Sequence, residues 1–245
     1  EIELMAEAGK ILERVHNELE KALHPGMSTK DIDTLGEKII RSYGCIPSFL
    51  NYNGYPASIC VSVNQEVVHG IPDKHRIIHE GDIVSLDAGV IYKGYHSDAA
   101  RTHAVGEVSE EAKKLIQVTK ECFFEGIKYA KAGNHLFDIS GAIGRYAEER
   151  GYGVVRDLCG HGIGTALHEA PEIPNYEVGR KGVKLRPGMT LAIEPMINIG
   201  TYEVDWLDDD WTVVTRDGSL SAHYENTILI TEGEPRILSL TCDNE

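Results

Sequence analysis

The chain has 245 residues, enough for one large domain or two small ones, and its 42% hydrophobic content is that of an ordinary globular protein. A formal net charge of −15 argues against a broad nucleic-acid-binding face, and no apolar run is long enough to cross a bilayer. Five cysteines (Cys45, Cys60, Cys122, Cys159 and Cys242), widely spaced and with no C-x-x-C, argue against a disulfide framework or a zinc knuckle and for a reducing, cytoplasmic setting. No secretory signal is visible, although the sequence opens at Glu1 rather than Met.

The first predicted element is a helix. Ile2, Leu4, Met5, Ile11, Leu12, Val15 and Leu19 recur at roughly helical spacing until His24-Pro25-Gly26 stops the pattern. Ser28-Thr29-Lys30-Asp31 reads as the start of a second helix, which runs to about Tyr43-Gly44. Strands are predicted over 58–63, 82–90 and 95–105, with Lys93-Gly94 as the hairpin turn between the last two. The second half repeats this order. A helix starts near Ser109, runs through Leu115, Phe123 and Ile127 and ends by Gly133; another spans about 136–150 and stops at Gly151. Strands follow over 154–158, 189–197, 211–215 and 224–231, with Asp217-Gly218 as a hairpin turn between the last two. Two helices and then strands, twice over, predict an internal duplication. The expectation is one domain over 1–245, with lobes of about 1–106 and 107–240 joined near Gly106 to Ser109.

Several acids enter apolar strands. Asp87 sits inside DIVSLDAGV, where a lone carboxylate is expensive to bury. A turn at Lys93-Gly94 pairs residue 87 with residue 100, so Asp98 becomes its diagonal neighbour on the same face. Glu194 follows MTLAI and precedes Pro195, and Glu225 opens the strand in HYENTILI. Taken singly, these last two read equally well as solvated strand ends. Together, two acids from each lobe converge if the lobes pack about a pseudo-twofold axis. Four carboxylates and one imidazole suit two divalent ions of the Mn, Fe, Co and Zn set. His161, after VVRDL, is the natural imidazole, although a turn histidine satisfied by backbone is an equal reading of that residue alone. Cys159 lies two residues from His161, which on a strand would give a thiolate–imidazole pair, but no activating motif surrounds it. His75 and His79 lack the glutamate of H-E-x-x-H and read as a surface loop; His69, before Gly-Ile-Pro, reads as a turn histidine.

LDAGVIYKGYHSDAART, GHGIGTALHEAP, LRPGMTLAIEPM and SAHYENTILIT together resemble the methionine aminopeptidases, in their type I bacterial form. The resemblance runs from about Glu3 to Ile237. It implies an α+β fold of the pita-bread (creatinase/aminopeptidase) kind, two pseudo-symmetric lobes around a curved antiparallel sheet. It implies two divalent metal ions, with Asp87 on one, Asp98 and Glu225 bridging, and His161 and Glu194 on the other. His69 and His168 match the family's two non-ligand histidines, so His168 would face the substrate. The glycines of GHGIGTALHEAP would let the chain pass close to the metals. The methionine pocket would be lined by Phe49, Tyr52, Tyr55, Cys60, Leu167 and Trp211, though each of these singly could be ordinary core; Phe49 and Leu167 stand where other members carry other residues.

The implied function is removal of the N-terminal methionine from nascent proteins and peptides with a small second residue, by attack of metal-activated hydroxide on the first peptide bond. His168 would donate to the developing oxyanion, His69 would contact the scissile amide nitrogen, and Glu194 would carry the proton to the leaving amine. The implied partners are peptide and nascent-chain N-termini with a transient ribosome contact, no nucleic acid and no membrane, and a monomer in the cytoplasm. Two other readings stay open: a proline-specific peptidase of the same fold, whose members usually carry an extra N-terminal domain, and a non-catalytic binding protein, which would typically have lost ligands.

Overall fold

A computed structural model of the protein describes residues 1–240; Cys242 lies outside the described residues. The first helix, α1 (Ile2–Ala22), buries Ala8, Leu12, Val15 and Leu19 on one face. The second, α2 (Thr29–Ser42), starts as its sequence predicts. Ser28 Oγ accepts from the Asp31 N–H at 3.1 Å, and the Asp31 carboxylate accepts from the Ser28 N–H at 2.9 Å, so two otherwise orphan donors are satisfied reciprocally.

Both helices pack on a sheet centred on β4 (Ile83–Tyr92). Along one edge β4 pairs with β5 (Tyr95–Ala104). Along the other it pairs with β1 (Ile46–Pro47) and β2 (Ile59–Val63), placed end to end. Lys93 and Gly94 at the hairpin have φ of 49° and 87°, the left-handed pair that a tight two-residue turn requires. The register that follows sets Asp87 opposite Ala100 and Asp98 opposite Gly89, so the two acids are diagonal neighbours on one face, as expected.

The second half opens with α3 (Glu110–Ile127), capped by Ser109 Oγ accepting from the Ala112 N–H, and α4 (Leu136–Glu148). These cover two sheets. One is β6 (Gly153–Val154), β10 (Met196–Asn198) and β13 (Ser221–His223), with β10 central. The other has β7 (Gly160–Gly162), β8 (Glu169–Ile173), β9 (Thr190–Ile193), β14 (Asn226–Leu229) and β15 (Arg236–Ile237), in the order β15-β14-β9-β7-β8. A small sheet of β3 (Glu66–Val68), β11 (Val204–Trp206) and β12 (Val213–Thr215) completes the fold.

Four expectations are corrected. The strand over 154–158 is only the two residues of β6, and His161 lies in a separate short strand, β7, rather than after a long one. The strand over 189–197 is two strands, β9 and β10, in different sheets. Pro195 has no N–H to continue the ladder, and the break falls at Glu194-Pro195. Asp217-Gly218 is a turn but not a hairpin. Its carboxylate accepts from the Thr201 and Ser219 N–H groups, yet β12 pairs with β11 and β3, while β13 pairs with β10 and β14 pairs with β9 and β15. An Asp-Gly pair specifies a local reversal; which strands then meet is decided by long-range packing.

One apolar cluster lies between α1, α2 and the β4 sheet, and another between α3, α4 and the later strands. The halves join through backbone. Ala100 and Glu225 exchange N–H···O bonds at 3.4 and 3.0 Å, and Thr227 Oγ1 accepts from the Asp98 N–H and donates to the Asp98 carbonyl, both at 2.9 Å. Asp98 and Glu225 therefore sit side by side on the line where the halves meet.

The N-terminal half is pinned by Asp33, 1% exposed, whose Oδ1 accepts from the N–H groups of Ser58 and Ile59 at 2.8 and 3.0 Å. Asp33→Ala strands both donors. We expect it to lower unfolding stability by about 2–4 kcal/mol, read from urea denaturation. A change within experimental error would mean that this carboxylate does not hold β2 on α2.

Candidate functional site

Every candidate metal-binding, catalytic and pocket residue lines one cavity of about 290 Å³. Its acidic floor comes from the strands just described. Asp87 and Asp98 descend from the β4–β5 hairpin, Glu194 from the end of β9 and Glu225 from the residue before β14. Asn226 pairs with Ile193, so continuing that register sets Glu225 opposite Glu194. His161 pairs with Ala192, and Glu194, two residues further along, falls on the same face.

His161 Nδ1 lies 2.9 Å from the Gly162 carbonyl, an acceptor, so this nitrogen carries the proton and Nε2 presents a lone pair. That lone pair faces Glu194 Oε1 at 3.5 Å and Asp98 Oδ2 at 3.9 Å. Ligand atoms of Asp98, His161 and Glu225 all lie within 4.8 Å of one another. Asp87 Oδ1, Asp98 Oδ1 and Glu225 Oε1 are buried without a hydrogen-bond partner. The cluster is thus made of acceptors facing acceptors, and what it lacks is positive charge. Oxygen donors with one imidazole fit a divalent ion of the Mn, Fe, Co or Zn type.

The proton affinities of these groups follow from the same deficit. Burial pushes Asp87 up to about 7. Burial, and then the charges of Asp87 and Glu194, holds Asp98 well above the usual carboxylate range. Glu225 is raised by burial and by the neighbouring acids, against the opposing pull of Arg101. Burial also raises Glu194, and it lowers His161 to about 4 and so keeps its imidazole neutral.

Glycine is required on either side of His161. A Cβ at Gly160 would lie 2.4 Å from the Ala192 carbonyl oxygen, and one at Gly162 would lie 2.4 Å from that of Ala170. The close approach is to neighbouring strands rather than to the acidic cluster. Cys159 lies outside β7, and burial raises its thiol, so no thiolate–imidazole pair forms. His75 and His79 stay on an exposed loop, as expected.

The opposite wall is aromatic. Tyr55 and Trp211 meet edge to face at 5.1 Å, with Phe49, Cys60 and Leu167 buried beside them. Burial pushes the Cys60 thiol well above its ordinary value, so this wall stays uncharged. His69 adopts a left-handed φ of 59°, a strained state for a non-glycine residue. It is held by the next residue: Tyr55 Oη donates to the Gly70 carbonyl at 2.9 Å, and Ser62 Oγ accepts from the Gly70 N–H at 3.1 Å. His168 is exposed at the mouth, with its ring 4.2 Å from that of His161 and Nδ1 2.8 Å from Tyr52 Oη.

Three residues of the site were not singled out from sequence. His223 Nε2 lies 3.7 Å from Glu194 Oε2, Arg101 donates to the Glu225 carbonyl, and Thr227 holds both backbone groups of Asp98. Arg101 and His223 lie within three residues of Asp98 and Glu225 respectively, but neither residue type announces such a role by spacing alone.

The sequence profile of metallopeptidase family M24 matches residues 3–232. A methionine aminopeptidase of Clostridium acetobutylicum is 59% identical over 240 residues, covering 98% of this chain and 96% of that protein. Methionine aminopeptidase 1 of Bacillus subtilis is 51% identical over 232 residues, covering 95% of this chain and 93% of that protein. The crystal structure of the methionine aminopeptidase of Thermotoga maritima superposes with a TM-score of 0.96 at 47% identity, over 98% of this chain and 97% of that one.

A carboxyl whose folded value lies above its unfolded value binds more protons in the folded state at pH values between the two. For Asp87, ordinarily 3.8 and here about 7, the metal-free protein loses stability as pH rises through that window. A divalent ion needs the deprotonated form and offsets the loss. We expect manganese to raise the urea midpoint more at about pH 7.5 than at about pH 5. An equal rise at both values would show that the ion does not bind these acids.

Proposed function

Given that the chain belongs to metallopeptidase family M24 and is a metal-dependent peptidase, we propose that it removes the N-terminal methionine from peptides and nascent proteins whose second residue is small. The observation that carries this reading is the buried, all-acceptor cluster beside an aromatic, thiol-lined wall. A charged acceptor cluster demands cations, and an uncharged pocket containing Cys60, Tyr55 and Trp211 suits a thioether.

Asp87, Asp98, His161, Glu194 and Glu225 would hold two divalent ions. When bound, such ions supply Lewis acidity and bring the pKa of water close to neutrality. Cobalt, manganese, iron and zinc all suit the donor set, and supply in the cell selects among them.

The chain's own residues do the rest. The methionine side chain packs among Phe49, Tyr52, Tyr55, Cys60, Leu167 and Trp211, which excludes water from the first peptide bond. His168 donates a hydrogen bond to the oxygen that gains negative charge as the carbonyl is attacked. His69, fixed by its strained backbone, contacts the scissile amide nitrogen and limits the size of the second residue. Glu194 carries the proton to the leaving amine. We read the chain as a single catalytic domain of two duplicated lobes, 1–106 and 107–240, acting as a cytoplasmic monomer that meets nascent chains near the ribosome.

Chelator-stripped protein should be inert towards Met-Ala-Ser and regain activity as each divalent ion is titrated in. Cleavage of Ala-Pro peptides in place of Met-Ala-Ser would point to a proline-specific peptidase instead. His168→Ala should lower kcat about 100-fold with metal content unchanged, whereas Glu225→Ala should lose both metal and turnover. Metal loss in His168→Ala, measured by elemental analysis, would refute the oxyanion role.

A further inference from the structure

His168 is a loosely placed residue for a task that needs accurate placement. It is exposed and lies outside the strands, between β7 and β8. Among the described residues, its side chain is held by the 2.8 Å contact between Nδ1 and Tyr52 Oη. The other restraint is ring contact, with Tyr52 at 5.2 Å and 51° and with His161 at 4.2 Å and 72°. Tyr52 itself sits in a single helical turn between Asn51 and Asn53, which have φ of 65° and 50°. Two left-handed residues around one tyrosine define a tight turn that sets the position of its Cα, and the Nδ1 contact then marks where its hydroxyl lies.

We propose that Tyr52 is a positioning residue for His168: its hydroxyl donates to Nδ1, which holds the imidazole in the tautomer that carries hydrogen on Nε2 and aims that N–H into the cavity. This rests on the oxyanion role given to His168 above. The direction of the bond follows from the chemistry of the pair. A phenol is a strong donor and a weak acceptor, because its lone pair is delocalised into the ring, and a neutral imidazole nitrogen is a strong acceptor. The reverse arrangement would spend the Nδ1 proton on the weaker acceptor and leave a lone pair on Nε2, which cannot stabilise an oxyanion. The hydroxyl thus has a part distinct from that of the ring, which walls the methionine pocket.

Tyr52→Phe keeps the ring and removes the hydroxyl, which separates the two parts. With Met-Ala-Ser and saturating cobalt we expect Tyr52→Phe to lower kcat about tenfold with KM unchanged. In Tyr52→Phe/His168→Ala the loss should equal that of His168→Ala alone, because the hydroxyl acts only through the imidazole. Imidazole nitrogen NMR shifts of the metal-free protein give a readout independent of activity: hydrogen on Nε2 of His168 in the wild type, and a mixture of tautomers in Tyr52→Phe. Hydrogen on Nδ1 in the wild type, losses that multiply in the double variant, or a raised KM with kcat intact would each overturn the proposal. Full activity in His168→Ala would instead remove the oxyanion role beneath it, whatever the NMR shifts show.

Discussion

Crowding negative charge into a buried place is the constraint on which this structure turns. Asp87, Asp98, Glu194 and Glu225 are drawn from both halves of the chain, and burial alone raises the proton affinity of each. Nothing in an apolar interior compensates such a group except a proton, a hydrogen bond or a cation. Three of the carboxylate oxygens have no hydrogen bond, and the nearest imidazole offers a lone pair rather than a proton. A chain that needed only to fold would place aliphatic side chains here. The arrangement makes physical sense in a metal-dependent peptidase of the pita-bread fold, where the ion supplies the missing charge and the protein gives up stability in its absence.

The two walls of the cavity are built differently. Acids and His161 stand on strand pairs flanked by two apolar clusters, so their relative positions follow from ladder register. Apart from Cys60 on β2, residues on the facing wall come from loops and single turns: His69 with a left-handed backbone, Tyr52 between two left-handed asparagines, and His168 exposed at the mouth. Strain of this kind persists only where neighbours over-determine it, as the Tyr55 and Ser62 bonds to Gly70 do beside His69. Rigid strands suit a constellation of charges that must stay together despite repulsion. Loops suit groups that must admit and release a peptide.

What was legible in the sequence follows from which forces act locally. The Lys93-Gly94 turn fixes a register, and that register alone puts Asp87 and Asp98 on a shared face. The Ser28 capping box behaved in the same way, because cap and partner are three residues apart. Asp217-Gly218 looked equally clear and misled: its turn is local, but the partners of β12 and β14 are chosen across the molecule. The strand broken at Pro195 could have been read from the missing N–H; an apolar run on both sides masked it. His69 read as a turn histidine, and nothing in its neighbours' identity disclosed the φ of 59°. Convergence of the acids was legible only as a condition, drawn from the repeated order of helices and strands; the lobes meet that condition through long-range pairing of Ala100 with Glu225.

Arg101 shows how the fold tolerates the charge without cancelling it. The guanidinium is half-buried, donates to the backbone carbonyls of Ala100 and Glu225 and to Asn226 Oδ1, and stacks over Tyr224 at 4.6 Å. Its charge draws the Glu225 proton affinity down, yet its hydrogen bonds go to the Glu225 backbone and not to the carboxylate. A direct ion pair would have satisfied Glu225 and closed the site to any other cation. Placed behind the strand, the same charge ties β5 to the chain entering β14 and leaves Glu225 Oε1 free. Arg101 thus adds to the Ala100–Glu225 and Thr227–Asp98 bonds that hold the halves together, while its own hydrogen bonds leave the Glu225 carboxylate open.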